Sequence, residues 1–235
     1  MEKKSQKAIL FIDEIQEISE IASGAGIEGA IRHIAEKTEY LSFVFSGSNR
    51  HLLSKMFFDK SKPLYKLCDR IILGRISIED YKFHINQLAN EKWGEVLSDE
   101  TLNEIFSLTE LHPYRINNLC NRLWTLNDNH TPDKNEVSEC WSELAKEEKS
   151  EILMELSSLS LGQKKVLTSI ASGQNSGLTG KKSLKSLDLT SSSVIEAISV
   201  LEQKDYLEKA DNNNYRIIDP LLRFILSTPT SNLTV

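Results

Sequence analysis

Cysteine is scarce in this 235-residue chain. Cys68, Cys120 and Cys140 are widely spaced and form no CxxC pair and no even set, so reduced thiols in a cytoplasmic protein are expected. Histidine is as sparse, with five residues scattered and none at metal-ligand spacing. No apolar run approaches the roughly 20 residues that span a bilayer, so no membrane segment is expected. The opening "MEKKSQK" is basic, but the apolar run behind it stops at Asp13, too short and too acidic for a signal peptide. Positive charge is in deficit, at a net −6. That argues against whole-surface affinity for nucleic acid or anionic membrane, and leaves room for a local basic patch. No internal repeat is visible.

What is present suffices for a folded protein. Hydrophobic residues make up 40% of the chain and charged residues 26%, enough for one large domain or two small ones. Three sections follow one another. Residues 1–77 read as α/β. Ala8–Ile12 is a continuous apolar run, as expected of a strand covered on both faces. "GIEGAIRHIAEKTEY" puts Ile27, Ala30, Ile31, Ile34 and Ala35 on one helical face. "LSFVFSGSNR" is a second buried strand, and Arg70–Leu73 reads as a third, ended by Gly74. Strand, helix, strand, loop and strand predict a parallel sheet with crossover helices.

Residues 78–156 read as helical throughout. Ser77 is a candidate N-cap, and Tyr81, Ile85 and Leu88 follow at helical spacing. "DETLNEIFSLT" and "PYRINNLCNRLWTL" are two more helices, with Pro113 suited to the first turn of the second. A charged helix runs from about Lys134 to Leu156. Residues 157–228 read as a winged helix-turn-helix with a core of its own. "LGQKKVLTSIA", "KKSLKSL" and "SSVIEAISVLEQKD" are its helices, "YLEKADNNNYRII" its hairpin, and "DPLLRFIL" a terminal helix. The tail, 229–235, is expected to be disordered.

The chemistry gathers at the strand ends. Asp13 and Glu14 close an apolar strand, where the carboxyl edge of a parallel sheet faces a ligand crevice. "FVFSGSNR" ends in Ser46, Ser48, Asn49 and Arg50, a second set of polar groups.

The order "ILFIDEIQEI", "FVFSGSNRHLL", "MFFDKSKPLYKLCDRIILGRIS", "LHPYRINNLCNRLW" and "DPLLRFIL" resembles the archaeal and bacterial AAA-type ATPases of the STAND class. These are signal-transduction nucleotidases with a P-loop core, a helical lid and a winged helix. The resemblance covers about residues 7 to 226, and "KSKPLYKLCDRIIL" is its most telling part. It implies ATP and Mg²⁺ as cofactors of the complete module. Asp13 would be the Mg²⁺-side acid and Glu14 the catalytic base. Ser46 or Ser48 would be the first sensor, Arg50 a phosphate sensor, and Pro113 the lid residue near the adenine. Where the family has Gly-x-Pro, this chain has Leu111-His112-Pro113, a departure at the lid contact.

The family's phosphate loop, GxxxxGK(S/T), has no counterpart here. "SGLTGKKS", Ser176 to Ser183, imitates it, but its glycines are three apart and it follows a helix, so it reads as a loop of the winged helix. The expectation is the carboxyl-terminal part of an ATPase module, beginning at its third strand and inactive alone. The sheet order the resemblance implies, 5-1-4-3-2, then leaves a gap beside Ser42–Ser46. An amino-terminal P-loop polypeptide or a second copy of the chain would fill it.

Two other readings stay open. One is a DNA-binding winged-helix regulator, although "SSSVIEAISVLEQKD" has no basic residue before Lys204, and the basic group Lys181, Lys182 and Lys185 lies on the preceding helix. The other is a non-catalytic protein-interaction fragment. Val194, Ile198 and Leu201 read as core.

Overall fold

The computed structural model describes residues 7–21, 24–210 and 214–228, with the side chains of Glu20, Gly24, Ala25, Arg50 and His51 outside the description. The tail expected to be disordered, 229–235, and the "DNN" tip of the hairpin also lie outside the described residues. The fold is mostly helical and divides into two units, Met1–Ile72 and Leu73–Val235.

In the first unit, β1 (Ala8–Ile12) pairs in parallel with β2 (Leu41–Phe45). A parallel partner cannot be reached by a tight turn. The connection runs through a 3-10 helix, Ile15–Glu20, and α1 (Gly24–Lys37). The register sets Ile12 opposite Phe45, and side chains two apart share a face. On one face Ile12 and Phe45 pack on a small core of Ile15, Met56, Phe57 and Leu64. Met56 and Phe57 come from α2 (Arg50–Phe58), and the Phe45 and Phe57 rings stand 5.3 Å apart.

The other face corrects the expectation of a strand covered on both sides. Ile9 is 74% exposed and Phe11 59%, and Val44 beside them is exposed too. The apolar face of α1 is used only in part, with Ile31 against the core and Ile27 and Ile34 exposed. A second correction concerns Arg70–Leu73, which forms no strand; Ile71 is 86% exposed and Ile72 and Leu73 are exposed with it. A strand exists through its ladder. Among the described residues the sheet of this unit has two strands, and neither pairs with 70–73.

The "KSKPLYK" turn has a physical account. Leu64 is fully buried in the small core. The Arg32 guanidinium, from α1, donates to the carbonyls of Pro63 (2.8 Å) and Tyr65 (2.9 Å).

The second unit begins with four helices: α3 (Ile78–Trp93), α4 (Asp99–Thr109), α5 (Pro113–Leu126) and α6 (Lys134–Ser157). Their starts are written in the sequence. Ser77 and Ser98 accept from the third residue of their helices, Pro113 opens α5, and Asp133 with Glu136 forms a reciprocal cap on α6. Then come α7 (Leu161–Ala171), α8 (Lys181–Leu187) and α9 (Ser191–Gln203). The antiparallel pair β3 (Leu207–Lys209) and β4 (Tyr215–Ile217) precedes α10 (Pro220–Ser227). "SGLTGKKS" is the turn into α8, with Gly177 at φ 60° and the Gly180 N–H bonded to its carbonyl.

One apolar core runs from Tyr81 through Leu119 and Trp141 to Leu201 and Ile225. The separate core expected from residue 160 onward is therefore absent, because α6 and α10 carry both sets of contacts. Val194, Ile198 and Leu201 are buried in that core. Arg115, only 5% exposed, pairs with Glu148 of α6 at 2.8 Å and with Asp219, the residue that caps α10. A guanidinium so buried is tolerable only with both carboxylates in place.

Candidate functional site

The polar groups gather where β1 and β2 end. Parallel pairing sends both chains out at the same edge, and the ladder continues one step past the strands. Ser46 N–H donates to the Ile12 carbonyl at 3.0 Å, and Ile15 N–H donates to the Ser46 carbonyl at 3.1 Å. Asp13-Glu14 and Ser46-Gly47-Ser48 are thereby brought side by side.

Each acid is held by a serine from the neighbouring strand's end. The Ser46 hydroxyl donates to Asp13 Oδ1, which also accepts from the Glu14 N–H at 3.0 Å. Glu14 Oε2 accepts from the Ser48 N–H at 3.0 Å, from the Ser48 hydroxyl at 3.1 Å, and from the Gln16 side-chain amide. These donors favour the ionised form. The Ser48 N–H first, then Gln16, hold the Glu14 carboxyl below its usual range. Glu14 also sits at φ 47°, ψ 44°, a left-handed conformation that costs a non-glycine residue free energy. Both acids are exposed, so the edge is open to a ligand.

The remaining candidates are placed differently. Asn49 spends its side-chain oxygen on the Leu52 N–H at 2.8 Å, capping α2. Arg50 opens that helix, and its side chain is outside the described residues. Pro113 belongs to the second unit, at the first position of α5. His112 precedes it as N-cap without a capping bond, and its Nδ1 is buried with no partner.

Two residues of the edge escape a reading based on acids and hydroxyls. Gln16 is 3% exposed and reaches Glu14. Gly47 is the floor against which it lies: a Cβ there would stand 2.0 Å from Gln16 Oε1 and 3.2 Å from a Leu53 methyl. The signal in the sequence is the amide two residues after the acid pair, in "DEIQ".

Among the described residues, no cluster of three or more His, Cys, Asp or Glu forms a metal cage. An oxygen-only edge with two carboxylates nevertheless suits Mg²⁺, which is usually held by one or two carboxylates plus substrate phosphates and water.

Residues 153–228 match the family described as "Probable winged helix domain". They form a winged helix. No curated protein matches the chain. Among solved structures, a Walker-type ATPase of Pyrococcus abyssi aligns with a TM-score of 0.74 at 18% identity. The alignment covers 94% of this chain and 63% of that one, so this chain spans less than two thirds of its neighbour's length. The likeness is one of fold. No helix among the described residues is long and apolar enough to cross a membrane.

Proposed function

We propose that this chain is the carboxyl-terminal part of a nucleotide-dependent switch ATPase of the AAA/STAND type. One observation carries the reading: two carboxylates lie side by side at the carboxyl edge of a parallel strand pair, each held by a serine of the adjacent strand end. The fold likeness to a Walker-type ATPase supports it. In the complete module Asp13 would hold the Mg²⁺ of Mg-ATP, which supplies charge neutralisation at the phosphates. Glu14 would orient and deprotonate the attacking water, with Ser46 and Ser48 fixing the two acids and Arg50 near the phosphate.

Nothing in the sequence corresponds to a phosphate loop, so the site is completed by a P-loop segment supplied in cis or in trans. The chain alone then turns over no ATP, and turnover appears when a P-loop polypeptide is supplied in cis or in trans. In the completed module Glu14→Gln lowers kcat by about 10²–10⁴-fold and spares nucleotide binding. Asp13→Ala weakens Mg-nucleotide binding as well. ATP turnover by the chain alone that disappears in Glu14→Gln contradicts the need for a partner. Equal effects of the two substitutions on binding and turnover contradict their separate roles.

The winged helix is read as a protein-contact module. Its helix α9 turns Ser191, Ser192, Ile195, Glu196 and Ser199 to solvent. Lysines lie on α7 and α8 instead, where Lys164 and Lys165 border a groove of about 540 Å³. Base readout by an inserted helix usually relies on Arg, Lys, Asn or Gln, and α9 turns none of these to solvent between Ser191 and Ser199. A gel shift at low and moderate salt tests this. No retarded band at moderate salt is expected, and a salt-resistant, sequence-dependent band supports the DNA reading instead.

A further inference from the structure

We propose that Gln16 is a positioning residue, which holds the Glu14 carboxylate in one orientation. Its role in catalysis rests on the nucleotide reading above; its hold on the carboxylate does not. Gln16 lies in the 3-10 helix behind β1, is 3% exposed, and aims its amide N–H at Glu14 Oε2. The reverse amide orientation would set a carbonyl against a carboxylate, two acceptors face to face.

The arrangement is costly in two places. Gln16 Oε1 is buried with no partner, and Glu14 occupies the left-handed region. Neither cost serves packing, since an apolar side chain would fill the same space without an orphaned acceptor. Both are explained if the function is to direct three donors, Gln16 and the two of Ser48, at a single oxygen of Glu14. That oxygen is saturated, and the other, Oε1, is left to face a ligand or water. Gly47 is part of the device, because any larger residue would occupy the place of Gln16 Oε1. Among the described side chains, the charged neighbour at this edge is Asp13, itself engaged by Ser46 and by the Glu14 N–H.

The test is NMR of the full chain at one neutral pH, without nucleotide, with the three-bond couplings along the Glu14 side chain reporting whether it keeps a single rotamer. Gln16→Met keeps the volume and removes the donor. Gly47→Ala leaves Gln16 intact and displaces it. In both variants the Glu14 couplings are expected to move from single-rotamer values toward averaged ones. The β1 and β2 amide shifts report whether the strands are retained, and Gly47→Ala stands in if Gln16→Met loses them. Single-rotamer Glu14 couplings retained in a variant with intact strands overturn the proposal. Because no nucleotide is present, this result is independent of whether the completed module hydrolyses ATP.

Discussion

His112 shows how a single residue can tie stability to pH. It stands at the N-cap of α5 with its Nδ1 buried and unpartnered. Burial is the main force lowering its pKa, followed by Arg75; Asp219 pulls the other way, Arg115 lowers it further, and Glu208 raises it least. The folded pKa is thus below the ordinary 6.5, so the unfolded chain takes up the proton first as pH falls. The stability contribution of neutral His112 is fully present above that unfolded value. It is lost as pH drops from there through the folded pKa. Trp93, Trp124 and Trp141 all lie in the second unit, so tryptophan fluorescence reports its unfolding specifically. The urea midpoint is expected to fall between pH 7 and pH 5, and His112→Gln should flatten that slope. An identical slope in the variant would place the titrating group elsewhere.

At the scale of elements, legibility followed the kind of signal. Helices with caps and periodicity were readable: Ser77 and Pro113 mark real helix starts. The strands Ala8–Ile12 and Leu41–Phe45 were readable as apolar runs, and the acids and serines at their ends were legible as one edge. What was not legible depends on neighbours rather than composition. Arg70–Leu73 has the residues of a strand, but pairing is decided by another backbone, and none pairs with it among the described residues. Gln16 reads as one more polar residue in "DEIQEI", because its burial follows from how the 3-10 helix folds back against Gly47. Nor does periodicity reveal that Arg32 would clamp two carbonyls of a turn 31 and 33 residues away. The continuity of the core across α6, α7 and α10 was hidden for the same reason: sequence shows which faces are apolar, and not which faces meet.

At the scale of the whole molecule, the two units differ in how much holds them. The second shares one core from Tyr81 to Ile225. The first rests on Ile15, Met56, Phe57 and Leu64, with partial help from six neighbours. Among the described residues its two-stranded sheet has an open edge on each strand, and two strands alone are marginally stable in water. Ile9, Phe11 and Val44 leave apolar area in water that burial would otherwise turn into stability, at about 25 cal/mol per Å². Local opening should therefore be easier in the first unit than in the second. Hydrogen exchange on a proven monomer tests this. Even those amides of Phe43–Phe45 that bond across to β1 should exchange at least about a hundredfold faster than those of Val194–Leu201. Equal protection would mean that the small core suffices, and that the open strand face calls for no partner. Adding a P-loop polypeptide that supplies further strands should slow exchange in the first unit and leave Val194–Leu201 unchanged. That selectivity separates docking on the sheet from general stabilisation, because a ligand protects only the segments whose opening it opposes.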